Sequence, residues 1–107
     1  MHLNIKKVNQ AASGGSYVVI YDALMHLDDS GQVKVLVEFV EPENTDADLV
    51  KAARDAIRQG AEHILIPLGH GSTIIIQRLV INSTDFKPNR FLLFTAQEVK
   101  RLVEERH

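Results

Sequence analysis

The sequence predicts an α+β fold, a two-layer sandwich in which two helices cover one face of a mixed sheet. Three observations predict it: period-two apolar alternation in the first forty residues, two well-delimited helical segments later, and a long apolar strand between them. The predicted element order is strand, strand, strand, helix, strand, helix, or β-β-β-α-β-α. At 107 residues the chain fits one domain, spanning residues 1–107.

The first three strands are predicted from apolar alternation and turn chemistry. Weak alternation over residues 3–8 predicts a short edge strand, and the small residues of segment 11–16 predict a loop. Residues 17–27 alternate over a longer stretch, as is typical of a strand with one apolar face. Aspartates and a glycine at 28–31 favour a turn, and residues 33–40 alternate again. We therefore expect the second and third strands to form a hairpin.

The first helix is predicted from a start signal and a stop signal. Thr45 with Asp48 three residues later resembles a capping box, and the residues that follow place small apolar side chains on one face. Gly60 stands where a left-handed terminating residue is expected. Residues 64–66 form a possible extra short strand after this helix.

The long strand, residues 72–82, is apolar on both sides. One side is predicted to present Ile74, Ile76 and Val80, and the other side is equally apolar. Two helices cover only one face of a sheet, so we expect the second face to meet another copy of the chain. This hypothesis makes Ile74, Ile76 and Val80 an oligomer interface. The alternative is that loops or the N-terminal arm cover that face.

The last helix is predicted to begin at a second capping box. Thr95 and Glu98 have the required spacing, and apolar residues follow at helical intervals. Residues 85–90, which include a proline, are predicted to be a loop.

Composition narrows the classes of function. The net charge of −2 gives no overall attraction to nucleic acid or anionic membranes. No apolar run approaches the roughly 20 residues of a membrane span, and the first residues lack a signal peptide, so we expect a cytoplasmic location. The absence of cysteine excludes disulfides and thiolate chemistry. The five histidines lack metal-ligand spacing, so we predict no metal, and no motif predicts a cofactor.

His70 and Ser72 are the first candidate binding residues. Residues 67–73 resemble a glycine-rich phosphate loop, but such a loop must lead into a helix N-terminus, whereas three isoleucines here predict a strand. The favoured interpretation is a tight turn with an exposed His70. A base and nucleophile pair formed by His70 and Ser72 is the basis of a small-enzyme hypothesis.

A small basic segment near residue 90 is the second candidate. Lys87, Asn89 and Arg90 stand beside aromatic residues, a composition found where cations meet RNA phosphates and rings stack on bases. The alternative is that three phenylalanines anchor the segment to the core: Phe86, Phe91 and Phe94.

The order of elements and three segments resemble a known family. Residues 52–61 are similar to the first helix of the fourth domain of translation elongation factor G, residues 75–80 to its following strand, and residues 94–97 to the entry of its last helix. The resemblance implies the fold shared with the second domain of ribosomal protein S5, and a link to translation or RNA. Segment 82–88 lacks the histidine that this family carries there, and no GTPase motif is present.

Three functional classes follow from these observations. The first is a non-catalytic interaction module, homo-oligomeric through the apolar strand. The second is an RNA- or ribosome-binding protein, based on the resemblance and on the Lys87 to Arg90 segment. The third is a small enzyme centred on His70.

Overall fold

The computed structural model describes residues 1–10 and 15–106, and it has the predicted two-layer α+β architecture. The predicted loop at 11–16 lies partly outside the described residues. The strands are β1 (His2–Asn9), β2 (Tyr17–Asp28), β3 (Val33–Val37), β4 (Val40–Glu41) and β5 (Gly71–Val80). The helices are α1 (Ala47–Leu65) and α2 (Pro88–Glu105), and a short 3-10 turn (Ile66–Leu68) follows α1.

The five strands form one mixed sheet in the order β1-β2-β5-β3, with β4 also paired to β5. β2 is antiparallel to β1 and β5, whereas β3 and β4 run parallel to β5. The predicted hairpin of β2 and β3 is therefore wrong, because β5 lies between them. β3, α1 and β5 form a parallel β-α-β unit, and the most apolar strand takes the centre of the sheet, where neighbours satisfy its backbone on both sides.

The core lies between the sheet and the two helices. β1 and β2 contribute alternate residues to it, including Leu3, Tyr21 and Met25, which have no exposed surface. α1 contributes Ile57, and α2 contributes Phe91, both also fully buried. The helices thus cover one face of the sheet, as the alternation in the sequence predicts.

A β-bulge interrupts the alternation of β5. Asp22 pairs with Arg78 but Ala23 pairs with Ile76, so Gln77 is an extra residue on β5. The bulge changes which residues share a face: Ile74, Ile76, Leu79 and Ile81 all join the core cluster. The predicted grouping of Val80 with Ile74 and Ile76 is wrong for this reason.

The first helix begins one residue later than predicted and runs past its predicted end. Asp46 is the N-cap, and its carboxylate accepts a hydrogen bond from the Asp48 amide at 2.8 Å. The Thr45 hydroxyl instead donates to the Pro42 carbonyl. Gly60 lies inside α1, and residues 64–66 complete the helix and enter the 3-10 turn, so the predicted terminator and extra strand are both wrong.

The second helix begins two turns earlier than predicted. Pro88 occupies its first position, where the missing amide hydrogen costs nothing, and the preceding loop therefore ends at Lys87. Thr95 is a fully buried residue in the helix interior and not an N-cap. None of the helices in the described part of the chain is long and apolar enough to cross a membrane.

Candidate interaction surface

The face of the sheet opposite the helices has no covering layer among the described residues. We call it the open face, and its side chains are those that alternate with the core residues of each strand. Apart from the buried Val18, six of them are apolar: Val8, Ile20, Leu24, Leu36, Ile75 and Val80. Val8 is 49% exposed and Leu36 is 57% exposed, and the other four are half-buried. An apolar surface that spans four of the five strands is unusual for an isolated domain.

Strand pairing arranges five of these side chains in two apolar rows across the sheet, and Val8, which pairs with Val18, lies outside both rows. Leu24 pairs with Ile75, which pairs with Leu36, and His2 stands at the β1 end; these four form the Leu24 row. Cross-strand neighbours on one face pack against each other, so each row is a continuous ridge of side chains.

The second apolar row has a positive end and a negative end. Ile20 pairs with Val80, Lys6 pairs with Ile20 on β1, and Glu41 pairs with Val80 on β4; these four form the Lys6 row. The cation and the carboxylate stand on opposite edges of the sheet, and two apolar side chains lie between them.

A polar row separates the two apolar rows. Asn4, Asp22 and Arg78 form this Asp22 row. The Arg78 guanidinium donates to both Glu41 carboxylate oxygens at 3.0 Å, and it lies 3.8 Å from the Asp22 carboxylate. Hydrogen bonding from Arg78 lowers the pKa of Glu41 below its ordinary value. This bidentate contact holds Arg78 in one orientation at the centre of the open face.

Of the three residues predicted as an oligomer interface, only Val80 lies on the open face. Ile74 and Ile76 have no exposed surface and pack in the core, so they are not available to a partner. Sequence reasoning missed Ile75, because it assumed unbroken alternation along the strand. The adjacent polar residues Gln77 and Arg78 interrupt the apolar pattern there, but only the pairing of β5 with β2 shows that the interruption is a bulge.

His70 and Ser72 lie at the start of β5, but they do not form an accessible pair. Ser72 is fully buried, and its hydroxyl donates to the His26 carbonyl at 2.9 Å. His70 is half-buried, and its amide donates to the Leu65 carbonyl at 3.0 Å. Gly69 has a positive φ of 82°, which permits the tight turn that the sequence predicts. The segment leads into a strand and has no helix N-terminus to bind phosphate.

Lys87, Asn89 and Arg90 come together at the start of α2, and two of the three contact residues at or just before the start of β2. The Lys87 ammonium donates to the Ser16 carbonyl, and the Arg90 guanidinium lies 5.0 Å from the Tyr17 ring centroid. Asn89 is exposed. The phenylalanines of this region pack against the core, as the anchoring alternative predicts: Phe86, Phe91 and Phe94.

No family model and no curated protein matches the chain. Within residues 1–10 and 15–106, no group of three or more side chains is suitable for holding a metal ion.

Proposed function

We propose that this protein is a non-catalytic interaction module that forms a homodimer through the open face of its sheet. The observation that carries the proposal is the one-sided helical layer, which leaves the Leu24 row and the Lys6 row without a cover in the described chain. Burial of such rows is favourable by roughly 25 cal/mol for each Å² of apolar surface. Burial of these apolar rows therefore supplies most of the affinity for a partner that covers this face. The strands already hold the side chains of the rows in position.

The chemistry of the open face favours a second copy as the partner. A twofold interface uses the same surface on both chains, so that surface must complement itself. The open face carries both signs of charge, with Lys6 and Arg78 against Asp22 and Glu41. Four strands at about 4.8 Å spacing make it about 19 Å wide, so side chains from all four strands can contact a second copy at the same time.

The small-enzyme hypothesis has little geometric support. A nucleophile must reach its substrate, whereas the Ser72 side chain is fully buried and bonded to a backbone carbonyl. Within residues 1–10 and 15–106, no hydrogen bond joins His70 to Ser72 or to an acidic side chain. The interaction module thus remains the better proposal.

The RNA- or ribosome-binding hypothesis rests on the sequence alone. It draws on the resemblance to elongation factor G and on the Lys87 to Arg90 segment. The proposed cytoplasmic location is the same for this hypothesis and for the interaction module. Lys87 and Arg90 already contact Ser16 and Tyr17, so RNA phosphates would have to compete with those contacts.

Light scattering coupled to size-exclusion chromatography tests the proposal. We expect the wild-type chain to have the mass of a dimer, and we expect Ile75→Lys to have the mass of a monomer, because a lysine at the centre of the Leu24 row is costly to bury. Leu93→Lys is the matched control. Leu93 is 39% exposed and lies on α2, away from the open face, so its substitution should leave the dimer intact.

Circular dichroism of each variant shows whether the fold is retained. A folded Ile75→Lys variant that stays dimeric would contradict the proposal, as would a wild-type chain that is monomeric at every concentration tested. Leu36→Lys, at the exposed edge of the same row, provides a second variant if the central substitution prevents folding.

A further inference from the structure

We infer that the dimer has its twofold axis parallel to the strands, between β2 and β5, so that Lys6 of one copy faces Glu41 of the other. This inference rests on the proposed homodimer and specifies how the two copies meet. It follows from the order of side chains along each row of the open face and from the charges at defined positions.

A twofold axis along the strands keeps each row at its own level and reverses its order. In the Lys6 row, Lys6 then lies opposite Glu41 of the second copy, and Ile20 lies opposite Val80 of the second copy. Each contact occurs twice, because the axis exchanges the copies. The charged ends of the row are thus paired between copies, and the two central apolar side chains of one copy pack on those of the other.

The polar row obeys the same rule. Reversal places Asp22 opposite Arg78 of the second copy, and Arg78 opposite Asp22. Asp22 lies 3.8 Å from Arg78 within one chain, so the dimer would convert a loose pair into a four-charge network of alternating sign. In the Leu24 row the reversal places Leu24 opposite Ile75 and His2 opposite Leu36, so its two central apolar side chains cover each other.

The other face-to-face arrangement brings like charges together. An axis perpendicular to the strands, through the Asp22 row, places each strand over its own copy. Asp22 would then face Asp22, and Arg78 would face Arg78. Like-charge contacts at the centre of an interface are unfavourable, so the charge pattern selects the axis along the strands.

The packing distance between two sheets is compatible with this arrangement. Face-to-face sheets pack about 10 Å apart with their strands about 30° from parallel, and this angle shifts opposite edges by only a few Å. Lysine is long and flexible enough to reach a carboxylate across such an offset.

Single-cysteine variants test the orientation, because the natural chain contains no cysteine. Lys6→Cys and Glu41→Cys are made separately, and each is treated with a short bismaleimide alone and as a 1:1 mixture. We expect efficient cross-linking only in the mixture, with each dimer containing one chain of each kind. Because every chain carries one cysteine, no cross-link can form within a chain.

A second measurement keeps the wild-type side chains and hence the Arg78–Glu41 contact. A zero-length carbodiimide should join Lys6 to Glu41 in dimers of the natural chain, as identified by peptide mass spectrometry. Within one chain these residues are separated by three strand spacings, about 14 Å, which is beyond the reach of this reagent. A Lys6–Glu41 link therefore reports contact between copies.

The outcomes separate the two proposals. A dimer by light scattering that cross-links Lys6→Cys to itself and Glu41→Cys to itself would overturn the orientation and leave the homodimer standing. A dimer that gives neither the mixed cross-link nor the carbodiimide link would also overturn the orientation. A monomeric wild-type chain would overturn both.

Discussion

A buried hydroxyl pair joins the sheet to the second helix. The Tyr21 and Thr95 hydroxyl oxygens are 2.6 Å apart, and both residues are fully buried. Burial is the main cause that raises the pKa of Tyr21 well above its ordinary value, so the folded protein keeps the phenol neutral to a higher pH than water does. Each hydroxyl is the hydrogen-bond partner of the other, and the removal of one leaves the other without it.

We expect the loss of stability in the double variant of this pair to be smaller than the sum of the losses in the two single variants. Tyr21→Phe and Thr95→Val should each lower the free energy of unfolding by about 1–3 kcal/mol, because each leaves a buried polar group unpaired. The double variant should lose much less than the sum, since it removes both polar groups. Urea denaturation of the four proteins measures this cycle. Additive losses would mean that the two hydroxyls do not depend on each other.

At the scale of elements, the contact between α1 and α2 depends on Gly60. A Cβ atom at this position would lie 2.5 Å from the Leu92 carbonyl oxygen and 3.1 Å from the Thr95 Cβ. The first distance is too short for a real contact, so the two helices approach each other as closely as they do because residue 60 lacks a side chain.

Gly60→Ala therefore has two opposite effects on the free energy of unfolding, one from helix propensity and one from packing. Alanine gains about 1 kcal/mol over glycine in a helix interior, whereas overpacking of a tight contact costs about 1–3 kcal/mol. The backbone carbonyl of Leu92 cannot rotate away, so we expect a net loss of about 1 kcal/mol in the free energy of unfolding by urea denaturation. Gln59→Ala, at an exposed neighbour in α1, should change stability by less than about 0.5 kcal/mol. A stabilised Gly60→Ala variant would show that the helix contact is loose.

Gly60 also shows where prediction from the sequence fails for elements. Its chemistry as a helix terminator is local, but its use in close helix packing depends on α2, which comes thirty residues later. The role of Thr95 also depends on a residue far away in the sequence. It has the spacing of a capping box, but its hydroxyl is the hydrogen-bond partner of Tyr21. The order of the main strands and helices was predictable, since alternation and helical periodicity are local properties, whereas several of their boundaries were not.

The candidate surface was only partly predictable, for a related reason. The sequence indicates that β5 is apolar on both sides, and this property led to the expectation of a second, partner-covered face. It does not reveal the bulge at Gln77, which depends on pairing with β2 and decides that Val80 faces out while Ile76 faces in. It also does not reveal that β5 separates β2 from β3, so the rows of the open face could not be assembled.

At the scale of the whole molecule, the described chain is a thin slab, with extents of 40 × 27 × 18 Å. The 18 Å dimension suits two layers, one of helices and one of sheet. A homodimer through the open face would give four layers in the order helix, sheet, sheet, helix, with both sheets in the interior. The proposed assembly thus completes the burial that one copy provides on only one face of its sheet.

A protein whose sheet is covered by its own second copy should unfold at a temperature that depends on concentration. Unfolding of a dimer to two unfolded chains is favoured by dilution, so each tenfold increase in concentration stabilises each chain by about 0.7 kcal/mol. For a domain of this size we expect the melting temperature to rise by about 3 °C for each tenfold increase in concentration. Thermal scans by circular dichroism across a hundredfold range measure this slope. Ile75→Lys should melt at the same temperature at every concentration, whereas Leu93→Lys should retain the wild-type slope, because only the former places a charge within the open face. Equal slopes for the wild type and Ile75→Lys would show that the open face does not hold the copies together.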